Sequence, residues 1–280
     1  MNALEIENLT KSYNGFLLDR LNLTLPSGCI LGLIGENGAG KSTTMKLILD
    51  RIRRDSGRIR IFGQDNTENP AVLKEDIGVV MDEVGIPECL TAGQLGRVLR
   101  HTYRNWNDEE YRRLLSRFSL PENKPFGTFS RGMKMKTGIA AALSHGSRLL
   151  LLDEATSGLD PVARDEVVEL LGEFTRDENH SILISSHIVS DLEKLCDYVA
   201  FLHRGKLLLC EEKDVLLAEY GVIHCTAEEL GIIPAREVLY RKETGYGAEA
   251  IVRRSAVPRG AAVSPVSIEE LFIVMAKEAG

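Results

Sequence analysis

Apolar and polar residues alternate over residues 3–7 and again over residues 21–25, the spacing of strands with one buried face. Pro26-Ser27-Gly28 punctuates the second of these. Residues 29–34 then form an uninterrupted apolar run, which predicts a strand covered on both faces. Met45, Ile48, Leu49 and Ile52 fall at i, i+3, i+4 and i+7, one stripe of a helix predicted over residues 42–52 and stopped by Asp55-Ser56-Gly57. Residues 58–62 and 77–81 read as further strands. From about Pro87 the pattern turns helical. Thr91 can cap a helix running to about Tyr103, and Asn107 or Asp108 can cap a second that carries Tyr111, Leu114, Leu115 and Phe118. Pro121 and Pro125 mark a loop, and a third helix begins near Arg131.

Residues 88–145 thus hold no convincing strand and read as a helical insertion. Strand texture returns at residues 149–152. Asp160-Pro161 starts a helix whose stripe is Val167, Leu170, Leu171 and Phe174. Residues 181–185 are another strand, and residues 198–202 and 206–209 flank the hairpin signal Arg204-Gly205. Beyond Gly221 the elements become short and mixed. A last helix starts at Ser267, whose spacing to Glu270 fits a capping box, and buries Ile268, Leu271, Phe272 and Met275 on one face. The pattern predicts an α/β fold with a mainly parallel sheet plus an antiparallel β part. It divides the chain into residues 1–220, with a helical subdomain at about 88–145, and a small C-terminal α/β extension at 221–280.

Bulk properties narrow the class. The chain has 280 residues, 44% hydrophobic and 27% charged, ample for a large core. No apolar run approaches the ~18 residues of a membrane span, and the first residues lack the basic and apolar blocks of a signal peptide. A net charge of −7 argues against a surface that wraps nucleic acid. The cluster Arg51, Arg53, Arg54, Arg58 and Arg60 reads as a solvated helix end. Five cysteines without metal-like spacing read as reduced packing residues of a cytosolic protein.

The chemistry concentrates in three places. Gly35-Glu36-Asn37-Gly38-Ala39-Gly40-Lys41-Ser42 lies between a buried strand and a helix, the arrangement of a phosphate-binding P-loop. Its glycines let backbone N–H groups turn inward, and the helix start adds unpaired donors and a positive dipole end. Lys41 would reach the β- and γ-phosphates of a nucleoside triphosphate, and Ser42 would hold Mg²⁺. Asp153 and Glu154 end the apolar strand at residues 149–152; Asp153 would bind Mg²⁺, and Glu154 would act as base toward the attacking water. Ser130 and Gly132, at a helix start 23 residues before Asp153, would form a second anion site.

The order of these motifs, followed by Ser157-Gly158-Leu159-Asp160 and then His187, resembles the nucleotide-binding subunit of an ABC (ATP-binding cassette) transporter over roughly residues 3–220. The resemblance implies a P-loop NTPase core and an ATPase using ATP and Mg²⁺. It implies that Gly35, Asn37, Gly38, Gly40, Lys41, Ser42 and Thr43 wrap the phosphates. Tyr13 would stack on adenine, its alternative being a surface aromatic in a turn. Ser130 and Gly132 would cap the γ-phosphate held by a second subunit, the segment ending at Asp160 would cross the dimer interface, and His187 would contact the γ-phosphate. Two such subunits, identical or not, would enclose two ATP molecules and drive a separate integral membrane permease from the cytoplasmic face of the membrane.

Two departures stand out. Asp82 occupies the place of a usual Gln; it could still serve Mg²⁺ or water, or be a plain loop acid. Arg131 and Met133 replace a usual Gly and Gln, and Arg131 either adds charge near the phosphate or faces solvent. With Trp106-Asn107 and the segment from Ser130 to Lys136, the chain is most similar to a bacterial branch with separately encoded export-type (ABC-2-like) permeases, some linked to peptide-antibiotic resistance. The competing readings are a soluble non-transport ABC ATPase and an ATP-binding regulatory protein.

Overall fold

The computed structural model describes residues 1–245, 247–258 and 260–279. The chain opens with a long antiparallel pair, β1 (Asn2–Tyr13) and β2 (Phe16–Pro26), joined by the two-residue turn Asn14-Gly15. The next elements are β3 (Ile30–Ile34), α1 (Lys41–Ile48), β4 (Ser56–Ile61), β5 (Gln64–Asp65), α2 (Pro70–Glu75) and β6 (Ile77–Val80). Three helices follow: α3 (Ala92–Thr102), α4 (Asp108–Arg117) and α5 (Arg131–Leu143). Then come β7 (Leu149–Asp153), α6 (Pro161–Phe174), β8 (Ser181–Ser186), α7 (Val189–Leu195), β9 (Tyr198–His203) and β10 (Lys206–Glu212). The last part comprises α8 (Lys213–Glu219), β11 (Tyr220–Cys225), α9 (Ala227–Ile232), β12 (Val238–Thr244), β13 (Gly247–Arg253), β14 (Val263–Ser264) and α10 (Ile268–Glu278).

The central sheet has the order β10-β9-β3-β8-β7-β6, parallel throughout except for β10. Its strands are buried on both sides, so alternate residues serve two different cores. Leu31, Leu33, Leu149, Leu151 and Leu183 pack with the antiparallel sheet β2-β1-β4-β5 and with Met45 and Ile48 of α1. Ile30, Ile34, Leu150, Leu152, Ile182 and Ile184 pack on the other side with residues of α5, α6 and α7. Each fully buried Leu or Ile contributes roughly 1.5–3 kcal/mol. The register of the parallel strands is therefore fixed from both faces, and their carboxyl ends come to one edge.

The structure departs from the sequence expectations in the bounds of β1 and β2, the end of α1 and the partners of the arginine cluster. β1 and β2 run well beyond residues 3–7 and 21–25, because bulges at Ile6/Leu9 and Leu9/Lys11 break the alternation that periodicity relies on. Helix α1 stops at Ile48 rather than Ile52, where Asp50 takes φ +52 and Arg51 N–H closes on the Lys46 carbonyl. The arginine cluster is accordingly not a helix end. Arg54 clasps Asp65 and Asn66, and Arg58 and Arg60, on β4, face Glu5 and Glu7 across β1. From Tyr220 onward the chain forms a four-stranded antiparallel sheet of order β12-β13-β11-β14, accompanied by α9 and α10. It is joined to the main core through Tyr220, Val222 and Ile251, and through Phe272 of α10, whose ring meets Phe201 edge-on at 5.4 Å. Among the described residues no helix is long and apolar enough to cross a membrane.

One packing contact carries a pH dependence. His145, just after α5, stacks on Tyr103 with ring centroids 4.0 Å apart, and its Nδ1 meets the Glu75 carbonyl at 3.2 Å. Burial is the largest influence and holds the imidazole below its ordinary value of 6.5. The unfolded chain then binds the proton more readily than the folded one. This contribution is fully present above about pH 6.5 and is lost as the pH falls through that value toward the lower folded one. His145→Phe, which keeps the stack, should lose less thermal stability than wild type between about pH 7 and pH 5.5. Melting curves at both pH values check this, and equal slopes would remove His145 as the cause.

Candidate functional site

The site is assembled at the carboxyl edge of the central sheet, where ligands bind in open α/β sheets. β3 ends into Gly35, β7 ends in Asp153, His187 follows β8, and Asp82 lies two residues past β6. Because β3, β8, β7 and β6 are adjacent and parallel, four segments far apart in sequence meet there.

The loop after β3 curls as its glycines require. Gly40 has φ +114, open to a residue without a Cβ, and caps α1. A Cβ on Gly35 would stand 2.5 Å from the Leu202 carbonyl oxygen, so the loop passes too close to β9 for any side chain. The Lys41 ammonium is buried inside the loop. It donates to the carbonyls of Gly35 at 2.7 Å and Glu36 at 3.3 Å and lies 3.4 Å from Glu154 Oε1. The chain therefore holds a cation inside the loop, tethered by two backbone carbonyls and facing Glu154.

Asp153 is buried, and Ser185 on the neighbouring strand donates to its Oδ1 at 2.5 Å. Glu154 takes φ +55, a left-handed conformation costing a non-glycine residue on the order of 1–3 kcal/mol. Its N–H donates to the Ser185 carbonyl at 3.1 Å, which holds that turn. The result aims the carboxylate back over the loop, with one oxygen toward Lys41 and the other 2.6 Å from His187 Nδ1. Lys41, Glu154 and His187 form one chain of contacts.

A cavity of about 430 Å³ opens above this chain, lined by Tyr13, Phe16, Glu36, Asn37, Gly38, Gly40, Lys41, Ser42, Thr43, Asp82 and Glu154. Gly35, Asp153 and His187 are not part of the lining: the Gly35 carbonyl accepts from Lys41, His187 meets Glu154, and Asp153 is buried against Ser185. Tyr13 ends β1 half exposed, with the Lys11 ammonium 5.4 Å from its ring centroid. Ser130, Gly132 and Asp160 are not part of this cavity wall. Ser130 caps α5, its Oγ accepting from Met133 N–H at 3.2 Å. Asp160 caps α6, and the N–H groups of Ala163 and Val162 hold its carboxyl below the usual range.

Three contributions were not legible in the sequence pattern alone. Phe16 forms cavity wall because the Asn14-Gly15 turn folds it beside Tyr13; that dipeptide is a strong hairpin signal and could have revealed it. Ser185 anchors Asp153, which only the parallel register discloses. Arg131 neither faces open solvent alone nor lines the cavity; its Nη2 donates to Asp82 Oδ1.

Known proteins give the same picture. The ABC transporter family model matches residues 18–157. The chain is 35% identical over 209 residues to a bacitracin transport ATP-binding protein of Enterococcus faecalis, covering 74% of this chain and 68% of that one. It is 36% identical to a lantibiotic transport ATP-binding protein of Streptococcus pyogenes, covering 75% and 91%. A solved ATP-binding subunit of an ABC transporter superposes with TM-score 0.70 at 29% identity, covering 76% of this chain and 91% of that one. A dimeric post-hydrolysis ATP-binding cassette holding ADP and Pi shares the fold, with TM-score 0.67 at 21% identity over 75% and 98%. The sequence match, the shared fold and the lysine-centred phosphate loop agree: this chain belongs to the ABC transporter family, as an ATP-binding subunit.

Proposed function

We propose that the cavity over Lys41 binds ATP and that Glu154 hydrolyses it, so that two such subunits power an export-type membrane permease. The observation that carries this reading is the convergence of Lys41, Ser42 and Glu154 on one cavity at the carboxyl edge of the sheet. Backbone N–H groups of residues 35–43 would receive the phosphates, with Lys41 turning from its carbonyl partners toward the β- and γ-phosphates. Tyr13 offers an exposed ring at the rim for the adenine face.

The donor set suits Mg²⁺, which is usually held by one or two protein oxygens together with substrate phosphates and water. Ser42 lines the cavity and Asp153 ends β7 next to Glu154, which lines it too, so Ser42 and Asp153 would hold the ion. Bound there, Mg²⁺ would neutralise charge on the phosphate oxygens. The same reading assigns the protein's own steps. Glu154 accepts the proton of the attacking water, His187 holds the Glu154 carboxylate in place, and Lys41 offsets the charge gathering on the phosphate.

Ser130, Gly132 and Asp160 lie outside the cavity of their own chain. In this reading they meet the triphosphate held by a second subunit, identical or not, so ATP is gripped by two chains and its hydrolysis lets them part. Residues 88–145 serve as the helical unit that passes this motion to the permease, and residues 221–280 as an extension packed on the core. The subunit would then sit at the inner face of the cell membrane. The test is purification from its native membrane. An integral membrane protein should co-purify with the chain and raise its ATP turnover. A fully active ATPase that never associates with membrane protein would instead support a soluble role.

A further inference from the structure

Arg131 and Asp82 lie 49 residues apart in the chain and touch in space. Asp82 forms part of the wall of the nucleotide cavity beside Lys41, Ser42 and Glu154. On its other side it borders a second cavity of about 530 Å³, together with Val84, Phe129, Arg131 and Lys134. It is the partition between the two. Arg131, the first residue of α5, reaches this partition and donates to its carboxylate.

The stem of Arg131 crosses a third segment on the way. A Cβ on Gly158 would stand 3.1 Å from Arg131 Cδ and 3.2 Å from Nε. The adjacent Gly132 approaches Leu159 just as closely, its own Cβ position being 3.2 Å from Leu159 Cδ2. One guanidinium side chain therefore links the loop after β6, the start of α5 and the turn after β7. Both ends of this pair are among the positions where the chain departs from the pattern it resembles, the third being Met133.

We propose that Arg131 is a positioning residue for ATP turnover, held by Asp82 at the cavity wall, and that Asp82 works through Arg131 rather than as a ligand of the metal ion. The inference rests on the ATP site proposed above. Arg131 and Asp82 are each about half exposed, and a pair so exposed adds little to folding stability. Its effect lies in charge and placement. Without Arg131, a bare carboxylate faces a triphosphate across the cavity wall and the start of α5 loses its tether. Without Asp82, Arg131 has no fixed point beside the cavity. Removing both relieves the repulsion, so the two losses overlap.

The test is a double-mutant cycle on the full chain with its membrane partner. It compares wild type, Asp82→Ala, Arg131→Ala, the double variant and Arg131→Lys. For each, kcat and KM for ATP are measured across a Mg²⁺ titration, with melting temperature as the folding control. Nucleotide-induced association is followed by sedimentation with Glu154→Gln added. Arg131→Ala should raise KM for ATP, while Arg131→Lys should recover part of the loss. The double variant should retain at least about threefold more kcat/KM than the product of the single losses predicts. Association should follow the same order, with melting temperatures and the Mg²⁺ midpoint of Asp82→Ala unchanged. Losses that simply multiply would overturn the proposal. So would a Mg²⁺ requirement shifted by Asp82→Ala but not by Arg131→Ala, which would make Asp82 a metal ligand. A wild-type chain that neither binds nor hydrolyses ATP would overturn the site reading and this inference together.

Discussion

Glu154→Gln is expected to slow ATP hydrolysis by about 10²–10⁴-fold, the usual contribution of a positioned general base. Gln has nearly the same shape; its carbonyl oxygen can accept from Lys41 while its NH2 donates to an unprotonated His187 Nδ1. The loop, the cavity and the buried ammonium should therefore persist, and ATP should still bind. What disappears is the proton acceptor. Glu154 takes a backbone conformation that costs energy and is held by the Ser185 carbonyl. Two contacts fix its carboxylate: His187 at 2.6 Å and Lys41 at 3.4 Å. Steady-state phosphate release with the membrane partner present measures the loss. Sedimentation with Mg-ATP should show a longer-lived paired state than wild type, since the γ-phosphate is no longer removed. Wild-type turnover by this variant would take the base role away from Glu154.

Lys41→Ala should fail one step earlier, at nucleotide binding. A hydrogen bond to a charged group contributes about 1.5–3 kcal/mol, so ATP affinity should fall roughly 10–100-fold. A second effect adds to the first. The Lys41 ammonium is the cation nearest Glu154 Oε1, and removing it leaves an unopposed carboxylate beside the phosphates. Calorimetric titration with ATP separates the variants: Glu154→Gln keeps affinity and loses turnover, and Lys41→Ala loses both. Unchanged affinity in Lys41→Ala would mean that the buried ammonium serves only to close the loop on the Gly35 and Glu36 carbonyls.

Part of the site is written in local patterns. The stretch from Gly35 to Thr43 is legible because its chemistry is contiguous: the glycines, the lysine and the helix start lie within a few residues. Asp153 and Glu154 are legible because a fully buried parallel strand has few ways to end other than at the ligand edge. The cap at Thr91 and the capping box at Ser267 are equally local, and both form.

Other features depend on distance. Periodicity loses β1 and β2 at their bulges, since one inserted residue reverses inside and outside. The arginines after α1 read as a helix end because their partners, Asp65, Glu5 and Glu7, lie on other strands. The same blindness covers Asp82 and Arg131: each looks like an isolated departure until the fold puts one against the other.

The amino-acid order by itself determined the alternation of strands and helices, the phosphate loop and the acids that close β7, because each is written in neighbouring residues. The tertiary structure alone decided which carboxylate faces Lys41, which strand anchors Asp153 and what Arg131 holds. Those contacts arise where parallel strands end side by side, and that adjacency is set by burial on two faces of one sheet rather than by any local pattern.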